Sequence, residues 1–120
     1  MEKFVRAAVA YVAGRLISGK ESSSIYDFSE KAYTSLGGPV SPASVNVFDY
    51  THACYISGGG NGQTLKLFHC GVNNYISLTL RGDSFAGYDY GSGSHFSGMV
   101  RRFRIRLYDS GSNAYFSYSI

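Results

Sequence analysis

The side chains with the richest coordination chemistry fall in one stretch, THACYISGGGNGQTLKLFHC, which carries His52, Cys54, His69 and Cys70. Imidazole and thiolate donors hold zinc at about 2.0–2.3 Å. With the turn of this stretch centred near Asn61 and Gly62, Cys54 falls opposite His69 or Cys70, so three donors could converge. Alternation opposes a fourth: His69 and Cys70 are consecutive and point to opposite faces of a strand unless a bulge intervenes. The spacing therefore predicts no metal and no cofactor. Cys54 and Cys70 read as small half-buried thiols, with no disulfide in a reducing compartment.

A second group is electrostatic. The segment VRRFRIRLY brings together Arg101, Arg102, Arg104 and Arg106, with Arg81 and Lys66 in comparable slots of earlier segments. Guanidinium groups near Tyr108 and Phe68 could hold phosphates while rings stack on bases. The same charges could instead keep a solvated edge from pairing. With a net charge of +3 and no RNP or KH signature, nucleic-acid binding through the Arg101 to Arg106 edge stands as the weaker alternative. Arg81-Gly82-Asp83 spells an adhesion tripeptide and reads as a turn. No phosphate loop, nucleophile elbow, HExxH or glutamate pair occurs. His69 and His95 are the candidate bases, without a specified partner, and no enzymatic activity is expected.

Behind these groups lies a periodicity. Tyr26, Phe48, Phe68, Tyr88 and Tyr108 begin similar segments; Asp27, Asp49, His69, Asp89 and Asp109 follow them. Seven places after the first aromatic come Tyr33, Tyr55, Tyr75, His95 and Tyr115, and then Ser35, Ser57, Ser77, Ser97 and Ser117. Recurrence at about twenty residues marks a repeated supersecondary unit. Within it Leu65 and Leu67 alternate with Lys66 and Phe68, and Ile76 and Leu78 with Tyr75 and Ser77, the period of half-buried strands. Each unit is thus a β-hairpin, with tips at GVNN, GSGS and GSNA where Gly and Asn tolerate positive φ. The slot aspartates could form a carboxylate ring for a cation, but Asx-turn bonding to their own tips accounts for them. The segments YDYGSG and YDSGSN resemble the aromatic hairpin repeats of bacterial cell-wall-binding and YD-repeat proteins. Those pockets are Trp-rich, this chain has no Trp, and no site residue is carried over.

These hairpins need an interior. Val5, Ala8, Val9, Val12 and Leu16 line one side of an N-terminal helix over about residues 2–18, with Lys3, Arg6, Ala7, Ala10 and Gly14 opposite and Gly19 as its stop. Residues 19–24 form a connector, and hairpins fill about 25–120, giving a single domain over 1–120. The predicted class is all-β with one N-terminal α-helix: an antiparallel meander of about ten short strands, closed or nearly closed into a barrel, aliphatics inward, helix packed in or across it. An open, strongly curved sheet around the helix is the alternative.

The expected function is a non-catalytic binding module for an unknown small ligand or protein, contacted through the glycine-rich hairpin rim or the aromatic face. The candidate contact residues are Tyr55, Tyr75, Tyr88, His95, Tyr108, Tyr115, Arg102, Arg104 and Arg106. A homo-oligomer assembled through the Tyr/Phe face is the alternative, because an exposed aromatic belt could exceed an ordinary apolar patch. Cross-strand ring pairing would also explain the belt. No apolar run is long enough to span a membrane. Arg6 and Arg15 interrupt the first apolar stretch, so no signal peptide is expected and a cytoplasmic location is the default.

Overall fold

The computed structural model describes residues 1–120 throughout. Helix α1 (Lys3–Ser18) leads into β1 (Ser24–Asp27), β2 (Ala32–Gly37), β3 (Val45–Asp49), β4 (Cys54–Gly60) and β5 (Thr64–His69). Strands β6 (Asn74–Arg81), β7 (Ser84–Asp89), β8 (Ser94–Arg101), β9 (Arg104–Asp109) and β10 (Ala114–Ser119) complete the chain. Each strand pairs antiparallel with its sequence neighbours, and β10 returns to β1 through Tyr26↔Ser119 and Asp27↔Tyr118. The meander closes, and the open-sheet alternative is set aside. Closure satisfies the edge groups that a ten-stranded sheet would otherwise leave unpaired. No helix is long and apolar enough to cross a membrane.

The aliphatic positions face inward as the alternation predicts: Leu65, Leu67, Ile76, Leu78, Ile105 and Leu107 are fully buried. What they enclose is α1. A helix with its side chains is about 10–12 Å across and fills the lumen that a ten-stranded barrel would leave open. The two-sided helix of the sequence reading is corrected here, because every residue from Val5 to Gly14 is buried, whichever side it lies on. A helix surrounded by sheet needs an apolar or small surface all round. Ala7, Ala8, Ala10, Ala13 and Gly14 provide it, and a Cβ on Gly14 would stand 2.9 Å from the Ile105 side chain. Inside the wall, Gly87 pairs with Phe96 and Gly98 with Phe85. Each ring lies where its partner's Cβ would be, so the glycines make room for two large rings in the core.

The helix ends are fixed separately. Gly19 adopts φ 73 and its N–H donates to the Arg15 carbonyl at 3.0 Å, the left-handed stop expected of glycine. The buried Tyr11 hydroxyl donates to the carbonyls of Ser22 and Leu36, and Arg15 Nη1 donates to the Gly38 carbonyl at 2.7 Å. At the other end Arg6, only 4% exposed, donates to the Tyr118 hydroxyl and to Asp109 Oδ2, both at 3.2 Å. Its guanidinium lies 3.5 Å from the Phe116 ring centroid. Arg6 is therefore the one charged residue of the helix drawn fully into the barrel, and Asp109 makes that tolerable.

Candidate anion-binding groove on the outer wall

The tips between paired strands share one design. Oδ1 of Asp27, Asp49, Asp89 and Asp109 accepts the N–H two residues on, from Ser29, Thr51, Gly91 and Gly111, at 2.9–3.1 Å. These are Asx-turns. The carboxylates are buried and turned to their own tips, each already engaged by local donors. His69 occupies the same slot and its Nδ1 accepts the Gly71 N–H at 3.0 Å, which requires the unprotonated form of that nitrogen. Burial, the largest influence, lowers its pKa below the ordinary histidine value, against the pull of Asp49 and Asp89. Each loop closes with a residue of positive φ: Lys31, Ala53, Asn73, Gly93 and Asn113. Asn and Gly suit that conformation; Lys31 and Ala53 do not.

The histidine–cysteine group does not converge. His52 Nδ1 lies 2.7 Å from Asp49 Oδ2 and its ring stacks on Phe4. Cys54 is buried beside Gly71, whereas Cys70 is exposed, and both thiols are free. Burial first, and the nearby Asp49 second, push the Cys54 thiol upward. No three of the His, Cys, Asp and Glu side chains are arranged to hold a metal ion.

The aromatic slots pair across each hairpin. Ring centroids are 4.7 Å apart for Tyr26–Tyr33, Phe48–Tyr55 and Tyr88–His95, 5.1 Å for Phe68–Tyr75 and 4.9 Å for Tyr108–Tyr115. Such pairs stabilise a sheet face. Serines beside such rings could hydrogen-bond across the strands. Instead Ser57, Ser77 and Ser97 lie opposite Phe68, Tyr88 and Tyr108 of the next hairpin, where a small side chain leaves space for the ring. Phe28, Tyr33, Tyr50, Tyr55, Tyr75, Tyr90 and Tyr115 remain exposed.

One part of the outer wall is concave. Strand register sets its floor in rows: Thr79↔Ala86↔Ser97 run side by side across β6, β7 and β8, with Tyr108 next on β9. The adjoining row is Arg81↔Ser84↔Met99↔Arg106, and Arg101 faces Arg104 beyond it. On the opposite side of the floor come Ser77, Tyr88 and His95. Small residues at Ala86 and Ser97, between taller neighbours, open a groove of about 1190 Å³ lined by Arg81, Arg101, Arg104, Arg106 and Tyr115. A shallower extension of about 560 Å³ shares Thr79, Ala86 and Ser97 and reaches Tyr88, His95 and Tyr108.

The groove's charge is uncompensated. Its ion-pair inventory is empty: the bridges in this protein involve Met1, Lys3, Arg6 and His52, and none includes Arg81, Arg101, Arg104 or Arg106. Two of these arginines lie over aromatic rings, Arg106 at 4.3 Å from Tyr115 and Arg104 at 4.6 Å from Phe28. Like charges opposed across strands, as at Arg101↔Arg104, cost stability and favour a bound anion.

The structure thus gathers Tyr88, His95, Tyr108, Tyr115, Arg104 and Arg106 from the sequence candidates around one depression. It leaves out Tyr55, Tyr75 and Arg102. Lys66, expected to share the basic edge, lies instead 4.5 Å over the Tyr75 ring. Sequence reasoning missed the floor, Thr79, Ala86 and Ser97, and the edge residue Met99. Comparison of the chain with protein-family models, with curated proteins and with solved structures gave no match. What defines the chain is its own architecture, a ten-stranded barrel filled by one helix with a basic groove on its wall.

Proposed function

We propose that this chain is a non-catalytic binding module whose ligand is an anion seated in the groove over β6 to β10. The observation that supports it is four guanidinium groups lining one concave surface with no carboxylate partner. Arginine is suited to that role because its planar fork meets phosphate or sulfate oxygens bidentately and loses little order on binding. The groove's volume suits a ligand of several rings or phosphates. His95 lies in the groove with its ring packed against Tyr88. No second proton-transferring side chain is hydrogen-bonded to it, which favours binding over chemistry. The test is retention on immobilised heparin and on inorganic polyphosphate. Retention at low salt that weakens as salt rises, and that falls for Arg104→Ala plus Arg106→Ala with an unchanged circular-dichroism spectrum, supports the reading. No retention at low salt overturns it.

A second reading is self-association through the aromatic face, favoured by Phe28, Tyr33, Tyr50 and Tyr55, which stand exposed on the first two hairpins. Sedimentation velocity over a wide protein concentration range tests it, and a concentration-independent monomer removes it.

A further inference from the structure

Resting on the anion-binding reading, we infer that the groove takes single-stranded nucleic acid, phosphates toward the arginine rows and bases toward the Tyr88–His95–Tyr108 end. Three features converge on that ligand. First, the groove changes character along its length. Successive rows along a strand are two residues, about 6.8 Å, apart, so the Arg81–Arg106 row and the Tyr88–His95 row lie about 13–14 Å from one another, with the floor between. A strand placed that way runs along the rows, which cross β6 to β9, three strand spacings or about 14 Å; at about 3.4 Å per stacked nucleotide that is about four nucleotides, the lower end of the site size seen for single-strand-binding barrels.

Second, the chemistry at the two ends is that of the two halves of a nucleotide. The basic end is all arginine, with Arg106 and Arg104 already within 4.3 and 4.6 Å of ring centroids, and a guanidinium can also stack on a base. The other end offers exposed ring surface from His95, backed by the half-buried Tyr88, with the half-buried Tyr108 ring as its partner in the floor row. The Tyr108 hydroxyl is held by Asn113 at 2.5 Å, which fixes that partner ring. Fixed aromatic platforms stack on any base and cost little entropy when they do. Third, the surface is recessed. Duplex DNA is read by an element that protrudes into its groove, and the Thr79–Ala86–Ser97 floor is the reverse of that shape. A sulfated sugar or polyphosphate would use the arginines and leave the rings idle.

The experiment measures binding of the full chain to a fluorescently labelled oligothymidylate of eight nucleotides. It compares an abasic phosphodiester of equal length, inorganic polyphosphate as competitor, and a duplex. The expected result is a log K against log salt slope of about −3, since each neutralised phosphate of a single strand contributes about −0.7. The slope should become shallower by about 1.4 for Arg104→Ala plus Arg106→Ala. His95→Ala and Tyr88→Ala, both in the ring row away from Arg106, should each weaken the oligothymidylate about fivefold or more while leaving the abasic strand unaffected. Equal affinity for oligothymidylate and abasic strand, with no effect of either ring variant, overturns the nucleic-acid inference and leaves the anion-binding reading standing. A duplex bound as tightly as the single strand also overturns it. Absence of binding to every anion at low salt overturns both.

Discussion

The contact between Arg6 and Asp109 offers the most demanding test of how this barrel tolerates charge in its interior. Arg6→Met keeps the unbranched aliphatic stem of the side chain while deleting the guanidinium. It removes a charge-assisted bond to a fully buried carboxylate, a bond to the buried Tyr118 hydroxyl and a cation–π contact with Phe116. Breaking one partner from a buried ion pair costs about 3–5 kcal/mol. Asp109 keeps the Gly111 N–H, the Ser112 hydroxyl and the Met1 ammonium at 3.2 Å, so the loss should lie at the lower end, about 3 kcal/mol. A chain of this length has a stability of about 6–18 kcal/mol. With a urea m-value of about 2 kcal/mol/M, the midpoint should fall by about 1.5 M in denaturation followed by circular dichroism and tyrosine fluorescence. Adding Asp109→Asn turns an amide NH2 toward the buried Met1 ammonium in place of its carboxylate, and should restore none of the loss. Acid provides an independent arm. Burial alone would raise the Asp109 pKa, but the Ser112 hydroxyl, the Met1 ammonium and the Gly111 N–H outweigh it and hold the carboxyl below its ordinary value of 3.8. Its contribution is therefore complete above about pH 4 and disappears as pH falls through the lower folded value; Asp109→Asn should remove that part of the acid response. A cost below about 1 kcal/mol for Arg6→Met, or a double variant more stable than the single one, would refute the reasoning.

Other consequences are simpler. Gly87→Ala or Gly98→Ala places a methyl where a Phe ring and a neighbouring strand's carbonyl already lie, and should destabilise by about 3 kcal/mol in urea titration. Ala53 has φ 53, so Ala53→Gly should relieve a left-handed penalty of about 1–2 kcal/mol against a glycine entropy cost of about 0.5–1 kcal/mol, raising stability slightly. His69 has a folded pKa below 6.5. The unfolded chain therefore takes up a proton first, and stability is full above pH 6.5 and declines as pH drops toward the folded value. His69→Asn, which retains an acceptor for Gly71, should flatten thermal-melt midpoints across that interval.

Much of this architecture was legible because strand alternation is a strict period. The inward placement of Leu65, Leu67, Ile76 and Leu107 and the tip-directed bonding of the slot aspartates both followed from residue spacing. The fate of Arg6 did not. A helical wheel gives each residue a side, but once strands surround the helix no side faces water, and only the position of Asp109 across the lumen shows why a guanidinium can be there. The groove was hidden for a different reason. Arg104, Arg106 and Tyr108 are near in sequence, whereas Thr79, Ala86 and Ser97 become neighbours only through the register of three strands. Alternation says that Ala86 and Ser97 point outward; it does not say that two small residues lie side by side and leave a hollow.

The closing seam sets where this barrel can breathe. β1 meets β10 through the pairs Tyr26↔Ser119 and Asp27↔Tyr118, and β2 meets β3 through Leu36↔Asp49 and Gly37↔Phe48, whereas the junctions from β5 to β10 run along whole strands. The first hairpin is therefore a stave hung on two short joints. It is the natural hinge-side and latch-side of a single panel, and amide protons there should exchange before those of the far wall. Any passage that lets the enclosed helix meet the outside leads through that panel, whose Phe28 ring lies against Arg104 at the edge of the groove.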